Sequence, residues 1–557
     1  VLSGGPAPRP RHETLQRALA AAARSRFGLT FLDAGEHEQA VPFSEIHQRA
    51  RRTAGGLRAL GIRRGDRVAI VLPTCVEFMD AFFGALLAGA VPVPLYPPVR
   101  LGRLEEFHRR TARMLEVSGA RAVLSDSRIS RFLGVAVAQA RPELGLHKAL
   151  QGEPHEEPGA PEELALIQFS SGTTVDPKPV ALTHRNVLFN LAAIQGIVPP
   201  GDEQAGVSWL PLYHDMGLIG CLLLAVYRPG PLTLLGPETF LARPVLWLRA
   251  ISRHRATLSV APNFAYGLCA RRVRDQDLQG VDLSSWRLAL NGAEPVAPAV
   301  LRRFAERFSP FGFDPRALMP VYGLSEASLA VTFTPARRGP RTLAQGAREL
   351  ASVGAPVPGV EVEVRAPEGE PGRVFVRGPG VMAGYFGNPA ATAEALREGW
   401  LDTGDLGFIE GGELFICGRE KEIIILRGKN HAPQEFEEAL DGLEGVRPGC
   451  SAAIGRVGVE GEELMLLVER EGATDQERLA GQIRSRVIER TGILPDEVRL
   501  LAPGTLPRTS SGKLRRGEAL RQLAAGELEP PARVSLLGLA KEALRSMAAL
   551  AKARLLP

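Results

Sequence analysis

Val68-Ala-Ile-Val-Leu72 is followed, after Pro73-Thr-Cys75, by Val76-Glu-Phe-Met-Asp-Ala-Phe-Phe-Gly-Ala-Leu-Leu-Ala-Gly89. The first five residues are aliphatic throughout, so they read as a strand buried on both faces. The second run reads as a long apolar helix closed by Gly89. A doubly buried strand leading straight into a helix is the repeating unit of a parallel sheet covered by helices. The alternation continues on both sides. Residues 13–27 and 44–60 read as helices, the first with the apolar face Leu15, Ala18, Leu19 and Ala22, the second ending at Gly61. Ala122–Ser125 and Leu164–Phe169 read as strands, and Thr183 caps a helix through about Ala193. Further strands are expected at Leu232–Leu235, Thr257–Val260, Leu288–Leu290 and Met319–Tyr322, with helices between most of them. After about residue 350 short strands with Gly and Pro turns take over, and beyond 418 a compact α+β unit follows.

The expected fold class is therefore α/β. A large N-terminal domain of layered α/β subdomains (1–417) carries a small β-rich subdomain at about 350–417. A small, mobile α+β C-terminal domain (418–525) and a basic amphipathic helix (526–557) complete the chain. That last helix reads first as a helix packed on its own protein, and second as a surface for a membrane or partner.

The composition narrows the function classes. With 557 residues, 45% hydrophobic and 23% charged, the chain has ample core and ordinary globular character. The net charge of +5 is thin over this length and does not argue for nucleic acid. No apolar run is long enough to span a bilayer. The stretch 81–96 is interrupted by Pro92 and Pro94, and the first residues leave no room for a signal peptide. Five cysteines without a Cys-x-x-Cys pair fit a reducing, cytoplasmic compartment. Positive charge is written as 60 arginines against seven lysines. Each lysine is thus a place to look, because a compact mobile ammonium does what a planar guanidinium does not.

Seven segments carry chemistry. In Phe169-Ser-Ser-Gly-Thr-Thr-Val-Asp-Pro-Lys-Pro-Val180 a strand enters a hydroxyl-rich turn and a lysine follows, an arrangement that offers N–H groups and an ammonium to phosphate. It is not a Walker A sequence. In Trp209-Leu-Pro-Leu-Tyr-His-Asp-Met-Gly217 the His-Asp pair reads as a helix cap or as an orienting pair. Leu290-Asn-Gly-Ala-Glu-Pro295 and Val321-Tyr-Gly-Leu-Ser-Glu326 each follow a strand. Their small residues admit a flat ring, and Glu326 is a hard oxygen ligand suited to Mg²⁺. Gly399-Trp-Leu-Asp-Thr-Gly-Asp-Leu406 places an Asp where it can accept ribose hydroxyls. The segments 418–431 and 506–514 hold Lys421, Lys429 and Lys513.

In this order the seven segments resemble the adenylate-forming superfamily of acyl-CoA synthetases, luciferases and peptide-synthetase adenylation domains. The wording at Pro94–Arg103, Trp209–Gly220, Asn291–Val296 and Arg427–Gln434 is closest to fatty acyl-AMP ligases. The resemblance implies attack of a carboxylate on the α-phosphate of ATP, with Mg²⁺, to give acyl-AMP and pyrophosphate. It further implies transfer of the acyl group to the phosphopantetheine thiol of an acyl carrier protein or polyketide synthase carrier domain. By position, Ser170, Ser171, Gly172, Thr173, Thr174 and Lys178 match the phosphate loop, with Thr174 a second metal contact. Gly292, Ala293 and Glu294 match the adenine platform, with Tyr322 stacking opposite and Gly323 and Ser325 beside it. Glu326 matches the Mg²⁺ ligand, and Asp405 and Arg419 the ribose contacts. Lys421 matches the hinge, Lys513 the lysine bridging carboxylate and α-phosphate, and His214 the histidine near the carboxylate.

Three departures bear on the acceptor and on nucleotide handling. Val175 and Pro179 stand where the phosphate loop usually has glycine, and the interval Phe333–Ser352 lacks the insertion usual in these ligases. The alternatives are accordingly an acyl-CoA synthetase using free coenzyme A, and a nucleotide-binding pseudoenzyme or regulator.

Overall fold

The computed structural model describes residues 1–98, 101–148, 150–170, 177–198, 204–345, 348–366, 371–426, 429–458, 462–472, 475–509, 512–532 and 535–555. The opening stretch folds as expected: strand Arg67–Val71 and helix Val76–Leu87. Helix Phe43–Leu60 lies against it, and the approach is close because a Cβ at Gly84 would stand 2.7 Å from Thr53 Cγ2. Gly61 takes the left-handed conformation that ends that helix, as its position suggests. Phe78, Phe82 and Phe83 from the apolar helix are fully buried. At roughly 2 kcal/mol each, such side chains make this helix a principal contributor to the core.

Two largely parallel sheets build the large domain. In the larger, six parallel strands run in the spatial order Leu318–Gly323, Leu288–Asn291, Leu258–Ala261, Gly206–Ser208, Leu232–Leu235 and Gly28–Leu32. Antiparallel strands close both edges. The second sheet has the order Val91–Leu95, Arg67–Val71, Ala120–Ser125 and Leu146–His147. Val91–Leu95 contains Pro92 and Pro94 and was not expected to be a strand. It is tolerated because it is the edge of its sheet, where a missing N–H leaves no partner wanting. The first helix is shorter than its pattern, Leu15–Ala22, and the chain turns directly into the strand Gly28–Leu32. The helix from His184 to Ile197 starts with a reciprocal cap between Thr183 and Asn186.

The β-rich region is an antiparallel sheet of Glu361–Arg365, Gly372–Arg377, Trp400–Glu410 and Glu413–Arg419. The turn Glu420–Glu422 then leads into the small domain. Strands Val446–Val457, Glu462–Arg470 and Glu497–Leu501 there pack with helix Gln476–Thr491 around Phe436, Leu466 and Ile483.

The chain ends in helix Leu536–Leu555, which lies on the large domain against helices Leu104–Ser118 and Ser130–Ala140. This is the first of the two readings of the basic helix. Among the described residues, no helix is long and apolar enough to cross a membrane.

Candidate active site

Strand ends and the turns after them converge on one continuous cavity of about 1620 Å³ between the large and small domains. In a parallel sheet this is the expected place, the crevice outside the carboxyl ends of the strands. Leu288–Asn291 delivers Gly292, Ala293 and Glu294 to it. A Cβ at Gly292 would meet Val321 Cγ2 at 2.7 Å, so only glycine lets the two turns lie together. Ala293 sits at φ 72°, a left-handed backbone that costs a non-glycine residue about 1 kcal/mol. Glu294 Oε1 accepts from Phe264 N at 2.5 Å, and burial raises its carboxyl above the usual range. Gly323 is required by a close approach as well, since a Cβ would stand 1.8 Å from Leu329 O.

Three carboxylates organise the polar wall. Asp405 is buried; Tyr322 Oη donates to its Oδ2 at 2.6 Å and Arg419 Nε pairs with its Oδ1 at 3.0 Å. The side chain expected to stack is therefore also tied by its hydroxyl to the expected ribose contact. Glu326 accepts at Oε1 from Tyr385 Oη at 3.0 Å, and burial raises its carboxyl. Ser325 Oγ donates to Asp215 Oδ2 at 2.6 Å, while Asp215 Oδ1 accepts from Met216 N at 2.7 Å. Asp215 thus bonds its own following N–H and also reaches across to the glutamate turn. His214, next to it, is partly buried; burial drives its pKa down to about 4, with the Lys513 charge adding to the shift and Asp215 opposing it.

Lys513 comes from the small domain. Its turn reaches the large one, since a Cβ on Gly512 would touch Phe264 Cε1 at 3.6 Å. Burial and the Arg419 charge hold its ammonium below the usual lysine value, against Asp215, Glu294 and Asp405. Lys421 lies in the turn Glu420–Glu422 at the domain junction and also lines the cavity.

Of the phosphate segment, Ser170 and Lys178 are described; Ser171, Gly172, Thr173, Thr174 and Val175 lie outside the described residues. The two ends of the loop are joined, with Ser170 N donating to Lys178 O at 2.9 Å and Lys178 N to Ser170 Oγ at 3.2 Å. Pro179 opens the strand Pro179–Thr183, and its carbonyl accepts from Phe386 N. Lys178 Nζ stands 4.7 Å from the centre of the Tyr385 ring. Tyr385 was missed by sequence reasoning. Its partners lie 59 and 207 positions away, and no local pattern marks it.

Glu326 is suited to hold Mg²⁺: a carboxylate lining the cleft beside a second one, Asp215, whose charge bears on it. The cavity is also lined by the apolar side chains of Val207, Leu224, Leu232, Leu258 and Val260. Helix Asn263–Arg272 turns Asn263, Phe264 and Gly267 toward the cavity and keeps Ala265, Tyr266 and Cys269 in the core. The lining thus combines charged and hydrogen-bonding groups with a set of apolar side chains. A substrate joining a polyanion to a hydrocarbon fits both.

The chain is similar to known proteins over most of its length. Residues 19–386 match the AMP-binding enzyme family. The medium-chain-fatty-acid–[acyl-carrier-protein] ligase JamA of Moorena producens is 32% identical over 556 residues, covering 91% of this chain and 93% of that protein. The long-chain-fatty-acid–AMP ligase FadD32 of Mycolicibacterium smegmatis is 31% identical, with 87% and 90% covered. A structure from work on fatty acyl-adenylate ligases of E. coli and L. pneumophila superposes with a TM-score of 0.86 at 35% identity, covering 93% of this chain and 99% of that one.

Proposed function

This chain belongs to the AMP-binding enzyme family and is an adenylate-forming ligase, and from that premise we propose how its residues divide the work and which thiol it serves. The substrate is a fatty acid whose chain lies along the apolar lining and whose carboxylate meets ATP in the cleft. The carboxylate oxygen attacks the α-phosphorus, the bond to the pyrophosphate oxygen breaks, and acyl-AMP remains. Lys513 carries the reaction by countering charge between the two anions, where a buried ammonium contributes most. The observation that supports this is its placement among Asp215, Glu294, Asp405 and Arg419 although it belongs to the other domain.

Asp405 and Arg419 hold the ribose, the 292–294 turn faces the adenine, and Lys178 and the loop before it take the phosphates. His214, neutral down to about pH 4, offers the incoming carboxylate an uncharged hydrogen-bond partner. Mg²⁺ on Glu326 would supply further charge neutralisation on the phosphates. Lys421 is the hinge about which the small domain turns away before the second step. A phosphopantetheine thiol of an acyl carrier protein or carrier domain then displaces AMP. Likeness to JamA, named as a ligase for acyl carrier protein, supports that acceptor.

Mass spectrometry of the thioester decides it. Enzyme, ATP, Mg²⁺ and a ladder of fatty acids are incubated with coenzyme A and a phosphopantetheinylated carrier protein together. The acyl thioester of the carrier protein is the expected product. Acyl-CoA would replace the proposed acceptor with coenzyme A, and absence of acyl-AMP would overturn the catalytic reading.

A further inference from the structure

Glu326 and Lys178 are oppositely charged groups that line the same cavity. One side chain touches both. Tyr385 is 8% exposed; its hydroxyl donates to Glu326 Oε1 at 3.0 Å, while its ring face receives Lys178 Nζ at 4.7 Å. The backbone around it is fastened to the same two segments. Met382 N donates to Glu326 O at 2.8 Å. On the other side, Ala383 N and Phe386 N donate to Ala181 O and Pro179 O at 3.0 and 2.8 Å, and Gly384 and Tyr385 pair with Ala181 and Val180. The segment 382–386 is thus a rigid bridge from the glutamate turn to the strand that begins one residue after Lys178. Tyr385 is in turn pinned by its own N–H, which donates to Thr392 Oγ1 at 2.9 Å.

We propose that Tyr385 is the positioning residue that holds the Glu326 carboxylate and the Lys178 ammonium apart and aimed at one bound nucleotide–metal complex. The inference rests on the proposed roles of Glu326 as metal ligand and Lys178 as phosphate contact. The hydroxyl occupies Oε1, so Oε2 is the oxygen offered to a divalent cation. It also keeps the carboxylate from turning to Arg419, whose charge acts on it across the cleft and which otherwise pairs with Asp405. The ring face gives Lys178 an attractive neighbour that is not an anion and so does not compete with a phosphate oxygen.

The two functions of the ring separate by mutation. Tyr385→Phe removes only the hydroxyl; Tyr385→Leu removes the hydroxyl and the π face. The probe is a non-hydrolysable ATP analogue titrated by calorimetry at a series of Mg²⁺ concentrations, with pyrophosphate release measured in parallel. For Tyr385→Phe the half-saturating Mg²⁺ concentration rises about tenfold, as loss of one hydrogen bond to a charged group implies, while affinity without Mg²⁺ is unchanged. For Tyr385→Leu, affinity without Mg²⁺ also falls about threefold. Should Tyr385→Leu not fold, Tyr385→Phe decides the matter alone. An unchanged or lowered Mg²⁺ requirement in Tyr385→Phe, or a change confined to melting temperature, overturns the inference. Failure of the wild type to release pyrophosphate with any fatty acid would instead overturn the reading it rests on.

Discussion

The small domain and the terminal helix that follows it meet the large domain at junctions built on different principles. On the cleft side the contacts are long, charged side chains: Arg303 to Asp441 at 3.8 Å, Arg348 to Glu438 at 3.3 Å, and Lys513 reaching into the cavity. On the far side, where the terminal helix lies on the large domain, a close-packed seam adds to the ion pairs of His108 with Glu542 and Arg545 with Glu105. A Cβ on Gly134 would lie 2.0 Å from Ser546 O, and Gly134 N donates to the buried Ser546 Oγ at 2.7 Å. Leu539 and Leu550 pack on the core of the second parallel sheet beneath. Ion pairs of partly exposed side chains each contribute little and re-form easily, whereas a close-packed seam tolerates no added atom. The first junction is suited to opening and the second to staying closed. The small domain is therefore a loop of chain held between the turn Glu420–Glu422 and the terminal helix.

The comparison breaks most visibly at Lys513. Lys513→Ala is expected to lower pyrophosphate release by at least about a hundredfold, the scale of losing a preorganised charge from a transition state. Its melting temperature should change little, because Lys513 is partly exposed in the cleft and its burial opposes what the nearby carboxylates contribute. A variant that retains full pyrophosphate release would remove Lys513 from the chemistry. Gly134→Leu tests the opposite junction. Forcing a side chain into the Ser546 backbone should destabilise the seam by about 2 kcal/mol. The helix 536–555 should become sensitive to limited proteolysis while pyrophosphate release persists. If proteolysis is unchanged, the seam is not the anchor.

Between the two lies Arg103, whose Nη2 donates to Thr505 O at 3.0 Å, Glu529 O at 3.2 Å and Gly504 O at 3.3 Å. It fastens the small domain and the linker to the large domain at once. Arg103→Ala should cost about 1 kcal/mol of stability and raise the rate at which 526–532 is cleaved. No change in cleavage would mean that the linker is held by the helix alone.

What could be read from the sequence divides along the same line. The buried strand at 68–72, the cap at Thr183 and the stop at Gly61 are local signals, and each appears within a residue or two of its place. Of the expected site residues that are described, all but His214 line the one cavity; those at 292–294 and 322–326 do so because turns after parallel strands open onto one crevice. What stayed hidden depends on contacts far apart in the chain. Strand Val91–Leu95 needed its edge position to excuse two prolines. Asp215 looked like a cap until Ser325, 110 residues away, was seen bonded to it. Tyr385 and the Gly134–Ser546 seam have no signature at all, since a glycine that admits a distant helix is spelled like any other glycine.

The smallest effect expected is a pH dependence of the seam. His108 Nε2 bonds with Phe132 O at 2.7 Å, and Nδ1 faces Glu542 Oε1 at 3.6 Å, with Glu105 and Arg545 also near. Burial lowers its pKa below the ordinary histidine value, outweighing the carboxylates that favour the charged form. A folded-state pKa below the unfolded one means that the contribution is complete above about pH 6.5 and is lost as pH falls through the folded value. The terminal helix should therefore loosen on mild acidification, and its proteolysis should speed up about twofold more than in His108→Gln, which keeps a donor toward Phe132 O and does not titrate. Equal pH responses in the two proteins would assign the effect to other groups, and a seam that tightens in acid would mean the Glu542 pair outweighs the burial.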